Sequence, residues 1–116
     1  MWTWGNGYNG QLGDDETNTR SYPVMNNYGE DTWSKIYAGY NCTFGIKNDG
    51  TLWSFGLNDN GTLGDGTDQN RSSPVQVLGS GIWEQVDVKQ TAIAIKQDGT
   101  LWTWGLGSSG RLGNTP

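Results

Sequence analysis

The amino-acid sequence predicts an all-β fold assembled from one repeated four-stranded unit, and three observations carry that expectation. The first is self-similarity. Trp2-Thr3-Trp4-Gly5 returns as Trp53-Ser54-Phe55-Gly56 and again as Trp102-Thr103-Trp104-Gly105, at offsets of 51 and 49 residues. Gly10-Gln11-Leu12-Gly13 likewise matches Gly61-Thr62-Leu63-Gly64 and Gly110-Arg111-Leu112-Gly113, and so many coincident matches mark an array of like units. The second is hydrophobic periodicity, which alternates with period two over short runs and nowhere keeps the i, i+3, i+4, i+7 stripe of a helix. The third is composition: 19 glycines, roughly twice the usual frequency of about 7%, supply tight turns, and seven tryptophans supply the bulk of a core.

Taken in order, Met1 stands where Leu52 and Leu101 stand in the later copies, so the chain opens inside a hairpin. Gly5 to Arg20 is polar and glycine-rich, a surface loop from which Leu12 points back as an anchor, and a short strand follows around Pro23 to Met25. Trp33 to Ala38 and Thr43 to Lys47 read as strands, and Asn48-Asp49-Gly50 joins the second of them to Thr51 to Phe55. Asp-Gly between alternating runs favours positive φ and a tight hairpin. In that last strand Trp53 and Phe55 share one face, Leu52 and Ser54 the other. Gly56 to Arg71 is the second loop, anchored by Leu63, before a strand around Pro74 to Leu78. Trp83 to Val88, Ala92 to Lys96, the turn Gln97-Asp98-Gly99 and Thr100 to Trp104 repeat the plan. Four strands per unit is the construction of a propeller blade. We therefore expect one domain over 1–116, made of a partial repeat at 1–32, a repeat at 33–82 and an incomplete repeat at 83–116.

Composition excludes several function classes. Twelve acids against seven bases, scattered singly for a net charge of -5, make no basic footprint for nucleic acid. No run of 18 apolar residues and no charged-then-apolar leader is present, so we expect a soluble chain without membrane span or signal peptide, of unassigned compartment. Cys42 is the lone cysteine and reads as a small buried hydrophobe rather than a reactive thiol. The sequons at Asn41, Asn60 and Asn70 reflect an Asn- and Thr-rich composition in the absence of a signal sequence.

Several architectures repeat near 50 residues. The chain has neither the Gly-Gly pair of kelch repeats nor the Gly-His and Trp-Asp of WD40 repeats. The pattern Ile-Lys-Asn-Asp-Gly-Thr-Leu-Trp-Ser-Phe-Gly at 46–56, then Gly-Thr-Leu-Gly-Asp-Gly-Thr at 61–67, then Arg-Ser-Ser-Pro-Val-Gln-Val at 71–77 closely resembles the RCC1 repeat (regulator of chromosome condensation). The likeness covers nearly the whole chain. It implies RCC1-like β-propeller blades, about two four-stranded repeats forming a partial propeller, in a family commonly seven-bladed. Its members include exchange factors for small GTPases, an ultraviolet photoreceptor, a bacterial β-lactamase inhibitor and many bacterial and viral proteins of unassigned role. The family often places Gly-x-x-His before the second strand. Here those positions read Gly39-Tyr40-Asn41-Cys42 and Val88-Lys89-Gln90-Thr91, so contacts through that histidine do not carry over.

Histidine is absent altogether, which removes Ser-His-Asp and Cys-His catalysis and the usual zinc and iron sites. Asp14-Asp15, Glu30-Asp31 and the pair Asp65 and Asp68 lack an apolar wall to raise a pKa and read as solvated loop acids rather than acid-base catalysts. The loop from Asn58 to Asp65 lacks the terminal bidentate Glu of a calcium loop and is explained by turn chemistry. Gly5-Asn6-Gly7 and Gly105-Leu106-Gly107 precede no Gly-Lys-Ser/Thr and no helix, so they are not phosphate loops. Arg20 and Arg71 are expected to tie their loops to backbone carbonyls. Trp33, Trp53, Phe55, Trp83, Trp102 and Trp104 recur at repeat-defining positions and are expected in the core. No enzymatic activity, metal or cofactor is expected.

Function is then sought where the repeats differ, because positions freed from the repeat rule are where a rigid scaffold displays something specific. Those positions are Asn6, Tyr8, Tyr40, Asn41, Asn58, Asp59, Lys89, Gln90 and Ser108. The resulting expectation is a non-enzymatic module for protein-protein interaction or assembly that binds neither nucleic acid nor membrane. Two blades would leave two flat Trp-bearing faces open, so we expect either a fragment of a longer propeller, favoured by the abrupt ends, or a protomer that closes a homo-oligomeric ring. The alternative is a lectin-like propeller that binds glycans through loop aromatics and Asn side chains.

Overall fold

A computed structural model of the chain describes residues 1–26 and 33–113. Its strands are β1 (Trp2–Gly5), β2 (Arg20–Met25), β3 (Trp33–Ala38), β4 (Cys42–Lys47), β5 (Leu52–Gly56), β6 (Arg71–Gln76), β7 (Trp83–Val88), β8 (Thr91–Lys96) and β9 (Leu101–Gly105), with a short 3-10 helix at Ser108–Gly110. Each strand pairs antiparallel with its sequence neighbour in three separate sheets, β1-β2, β3-β4-β5-β6 and β7-β8-β9. The middle sheet is a complete four-stranded meander, flanked by a two-stranded and a three-stranded one. The last strand of the unit begins at Arg20 and Arg71, earlier than the turn-flanking prolines suggest, because Gly5 and Gly56 pair with these arginines beyond a local register shift. Pro23 and Pro74 are accommodated because β2 and β6 are edge strands, where a missing N–H costs no ladder bond.

The two β-hairpins follow the sequence reading. Gly50 and Gly99 have φ of 85° and 86°, while Asp49 and Asp98 do not share the positive sign. Lys47 and Lys96 each accept a turn hydrogen bond from the glycine, and their own N–H groups bond the carbonyls of Thr51 and Thr100. Each is a three-residue loop, a type I turn followed by one left-handed glycine.

The core lies between blades. Phe44, Ile46 and Leu52 on one face of the middle sheet pack with Trp83, Val86, Val88, Ala92 and Ala94 of the next, together with Leu63 and Val77. Trp104 leans into this seam, its ring centroid 6.2 Å from Phe44 and 5.8 Å from Trp83. Its Nε1 donates to the Thr62 carbonyl at 2.8 Å. The last glycine of the Gly-x-Leu-Gly tetrad makes room for the ring: a Cβ on Gly64 would come within 2.8 Å of Trp104, and a Cβ on Gly13 within 2.7 Å of Phe55. Both glycines also hold positive φ, so a side chain there is excluded twice.

Within each blade the same tetrad is held by one recurring hydrogen bond. The hydroxyl between the two aromatic positions, on Thr3, Ser54 and Thr103, donates to the carbonyl of Leu12, Leu63 and Leu112 at 2.7 Å in all three. The leucine itself is buried at positions 12 and 63. The loops therefore return to their own sheet through a side chain and a carbonyl at one residue.

Of the expected core aromatics, Phe55 and Trp83 are buried and Trp33, Trp53 and Trp104 are half-buried. Trp102 is a correction, at 47% exposed. It forms one wall of a cation sandwich: Lys96 Nζ lies 4.4 Å from the Trp102 ring and 4.8 Å from Trp83, and also donates to the Ser80 carbonyl. Lys47 repeats the arrangement between Trp53 at 4.0 Å and Trp33 at 5.3 Å. An ammonium over an indole face is attracted by the ring quadrupole, so these tryptophans cover a cation at the blade margin as well as apolar neighbours. The ends of the array also differ from expectation. One exposes Trp2 and Trp4, whereas the other exposes Ile93, Ile95 and Leu101 and is aliphatic.

Removing the recurring hydroxyl bond tests this account. Ser54→Ala leaves the Leu63 carbonyl in a buried site without its donor and should lower unfolding free energy by about 1–3 kcal/mol. Ser54→Thr, the residue at positions 3 and 103, should lose less. Urea denaturation followed by tryptophan fluorescence gives both values, and equal losses would refute the hydrogen-bond explanation.

Candidate functional site

The β3–β4 and β7–β8 connections lie on the rim beside the long loops. Leu57 N–H donates to the Asn41 carbonyl at 2.8 Å, Leu106 N–H to the Gln90 carbonyl at 3.2 Å, and Thr62 Oγ1 to the same Gln90 carbonyl at 2.9 Å. These bonds fix the backbone of both bends and leave their side chains free to vary. Tyr40, Asn41, Asp59, Lys89 and Gln90, five of the sequence-predicted contact residues, line one cavity of about 70 Å³ together with Thr62. A wider adjoining groove of about 350 Å³ runs past Tyr40, Lys89 and Gln90 to Asp87, Ile93 and Arg111. Tyr40 is 68% exposed and stands between the two.

The site therefore offers one aromatic ring, amides and charges of both signs on a rigid rim. Arg111 enters it unforeseen: its Nη1 lies 3.4 Å from Gln90 Oε1 and its Nε donates to the Ser108 carbonyl at 2.9 Å. The signal was available in the second position of the tetrad, which reads Gln11, Thr62 and Arg111 and so obeys no repeat rule. Asn6 belongs to a separate groove along Trp2, Trp4 and Gln11 that also reaches Tyr40, and its Oδ1 accepts from the Tyr8 N–H at 2.9 Å. Tyr8 is exposed and lines none of these cavities, and exposed Ser108 enters only through its carbonyl.

Asn58 is a correction. It is fully buried: its amide donates to Asp65 and to the carbonyls of Thr67 and Gln69, while its Oδ1 accepts from Leu63 N–H at 2.9 Å. A short side chain with both donor and acceptor suits the interior of a tight loop. Asn58 thus pins the loop from within and is no contact residue.

The loop arginines and acids need correcting too. Arg71 Nε meets Asp65 Oδ2 at 2.9 Å and Arg20 Nε meets Asp14 Oδ2 at 3.0 Å, so each guanidinium ties its loop through a carboxylate rather than a backbone carbonyl. Asp65 is accordingly not a solvated acid, its side chain being 2% exposed. Desolvation pushes its pKa up, but hydrogen bonds from the Thr67 hydroxyl and amide, Arg71 and Asn58 outweigh this and hold the carboxyl below its ordinary range. Among the described residues no three His, Cys, Asp or Glu side chains are grouped as metal ligands, and the Glu30-Asp31 pair lies outside the described residues. Burial pushes the Cys42 thiol up to about 11, opposed by a backbone hydrogen bond at Asn41.

Set beside known proteins, the chain matches the family model described as Regulator of chromosome condensation (RCC1) repeat over residues 1–46 and 49–90. A second model of the same description matches residues 33–62. The chain belongs to the RCC1-repeat family. Among curated RCC1-type proteins it is 34% identical over 67 residues to Protein RCC2 homolog of Danio rerio, which covers 57% of this chain and 14% of that protein. Among solved structures, human WBSCR16 superposes with a TM-score of 0.81 at 22% identity, over 92% of this chain and 29% of that one. Yeast RCC1 (Prp20), solved bound to Kap60, gives 0.77 at 20% identity over 99% of this chain and 29% of its own. These structures share the fold, and this RCC1-repeat chain spans less than a third of each. Among the described residues no helix is long and apolar enough to cross a membrane.

Two measurements check the chemistry. Cys42 should resist a thiol reagent such as DTNB at pH 8 in the native state and react at once in guanidinium; fast native labelling would mean the thiol is neither buried nor raised. Asp65 has a native pKa below its unfolded value of about 3.9, so it contributes stability above that pH and loses the contribution as pH falls through the native value. Asp65→Asn should be less stable than wild type at neutral pH, and the difference should shrink as pH is lowered from about 4 to about 2. A difference independent of pH would refute the pairing.

Proposed function

We propose that this chain is a non-enzymatic interaction module whose partner is a protein, engaged at the rim around Tyr40, Asn41, Asp59, Lys89, Gln90 and Arg111. The observation that carries the reading is convergence: five of the nine positions that differ between repeats, Tyr40, Asn41, Asp59, Lys89 and Gln90, line one rim depression. An exposed Tyr with an Arg beside it is the composition favoured where a few residues supply most of the binding energy. Relatives are consistent with the class: the yeast family member Prp20 has been solved with Kap60 bound, and it has binding properties to Gsp1p and histones. An exchange activity is not proposed, because fold does not determine function and no residue here selects it.

One observation favours a second reading. Tyr40 stands beside Asn41 and Asn60 on the same cavity, and an aromatic face flanked by amides also suits a sugar. Affinity capture with wild type and with the double variant Tyr40→Ala/Lys89→Glu, followed by mass spectrometry, tests the first reading. Proteins recovered by wild type and depleted about tenfold or more by the variant support it; identical recovery refutes it. A glycan array run on the same two proteins decides the second, since binding lost with Tyr40 would favour the sugar and an empty array would dismiss it.

A further inference from the structure

Two blade seams lie within the chain, and they close on the same acceptor through different donors. That acceptor is the carbonyl at the second position of the Gly-x-Leu-Gly tetrad. At the first seam the Gln11 carbonyl accepts from Thr43 Oγ1 at 2.9 Å, and at the second the Thr62 carbonyl accepts from Trp104 Nε1 at 2.8 Å. The two donors are not repeat equivalents: Thr43 corresponds to Ala92, and Trp104 to Phe55. Within each blade these positions are direct cross-strand partners, Thr43 opposite Phe55 and Ala92 opposite Trp104, so they present adjacent side chains to the preceding tetrad. A phenyl ring has no N–H and a methyl no hydroxyl, so each blade carries one side-chain donor for the one carbonyl. Bulk is exchanged in the same step, the larger indole beside a methyl and the smaller ring beside a hydroxyl. Thr43, Phe55 and Ala92 are all buried, where an orphaned carbonyl and an added side-chain atom both destabilise.

We infer that positions 43 and 55, and their equivalents 92 and 104, form one two-residue docking element: Thr with Phe and Ala with Trp are interchangeable as pairs and not residue by residue. The surface each pair fits is the tetrad of the preceding blade, whose last glycine receives the ring and whose second carbonyl receives the donor. The choice of pair reaches the rim. Thr62, whose carbonyl takes the indole N–H, donates its hydroxyl to the Gln90 carbonyl at 2.9 Å and lines the rim cavity. Trp104 is thereby a positioning residue for that cavity. Gln11 makes no such link, its Oε1 accepting instead from the Asn9 N–H at 2.8 Å. The pairing rule is a matter of blade packing and is independent of what the rim binds.

Urea denaturation of the 116-residue chain and its variants gives the first readout. Thr43→Ala leaves the Gln11 carbonyl without its donor and should lower the folding equilibrium constant by about five- to thirtyfold, whereas Thr43→Ser keeps the hydroxyl and should lose less. Phe55→Trp alone sets an indole against an occupied acceptor in a filled site and should lose as well. The double variant Thr43→Ala/Phe55→Trp should recover most of both losses, the mark of coupling in a double-mutant cycle. Its new indole N–H resonance should exchange slowly with deuterium, as that of Trp104 does. At the other seam Trp104→Phe should shift the Gln90 amide resonance as well as destabilise, and adding Ala92→Thr should restore stability. Losses that simply add, a freely exchanging indole in the Thr43→Ala/Phe55→Trp chain, or equal losses for Thr43→Ser and Thr43→Ala would overturn the pairing rule. A Gln90 amide unmoved by Trp104→Phe would overturn the positioning role.

Discussion

The structure depends on an aromatic ring of one blade seated on a glycine of the preceding blade. Phe55 sits on Gly13 and Trp104 on Gly64. Without that seat the sheets lose the seam in which Phe44, Leu52 and Trp83 are buried, and a lone three- or four-stranded sheet of this size has little apolar area to offset its conformational entropy. The Gly-x-Leu-Gly tetrad is the answer to two demands at once. Its leucine turns the long loop back onto its own sheet through a buried side chain and a carbonyl that accepts the strand hydroxyl. Its last glycine opens the backbone to the neighbour. One short motif thereby couples the folding of a loop to the stacking of blades.

A second layer of repetition is electrostatic. The lysine before each hairpin lies between two tryptophans, and the aspartate within the hairpin accepts from both the hydroxyl and the N–H of the following threonine. The same threonine hydroxyl accepts from the tryptophan indole, at 2.8 Å in both copies. Hydrogen bonds from Thr51 and Thr100 hold Asp49 and Asp98 below the usual carboxylate range. The Ile-Lys-x-Asp-Gly-Thr-Leu-Trp run is therefore a connected polar cap on each hairpin. Its repeated spacing within this chain has a structural cause.

Legibility of the site followed from the same division. Tyr40, Asn41, Asp59, Lys89 and Gln90 stand out in the sequence because they break the repeat, and the structure gathers them around one depression. Asn58 breaks the repeat for another reason. The equivalent loops have Gly7 and Gly107 there, and Asn58 fills that interior with an amide network instead. Variation alone does not distinguish a side chain facing solvent from one that repacks its own loop. Arg111 is hidden within a scaffold motif, since three of the four tetrad positions repeat and only its own varies.

The sequence by itself determined the unit, its strands, the hairpin glycines and the inward leucines, since these are local matters of turn conformation and of period-two alternation. Tertiary structure decided what each aromatic touches. Trp53 and Phe55 share a face of one strand, yet one covers a lysine and the other fills a neighbour's glycine seat. Likewise Leu52 and Leu101 occupy one repeat position, and the first is buried while the second is exposed. Periodicity tells which way a side chain points along its strand. Only the arrangement of blades supplies, or leaves open, the surface that it meets.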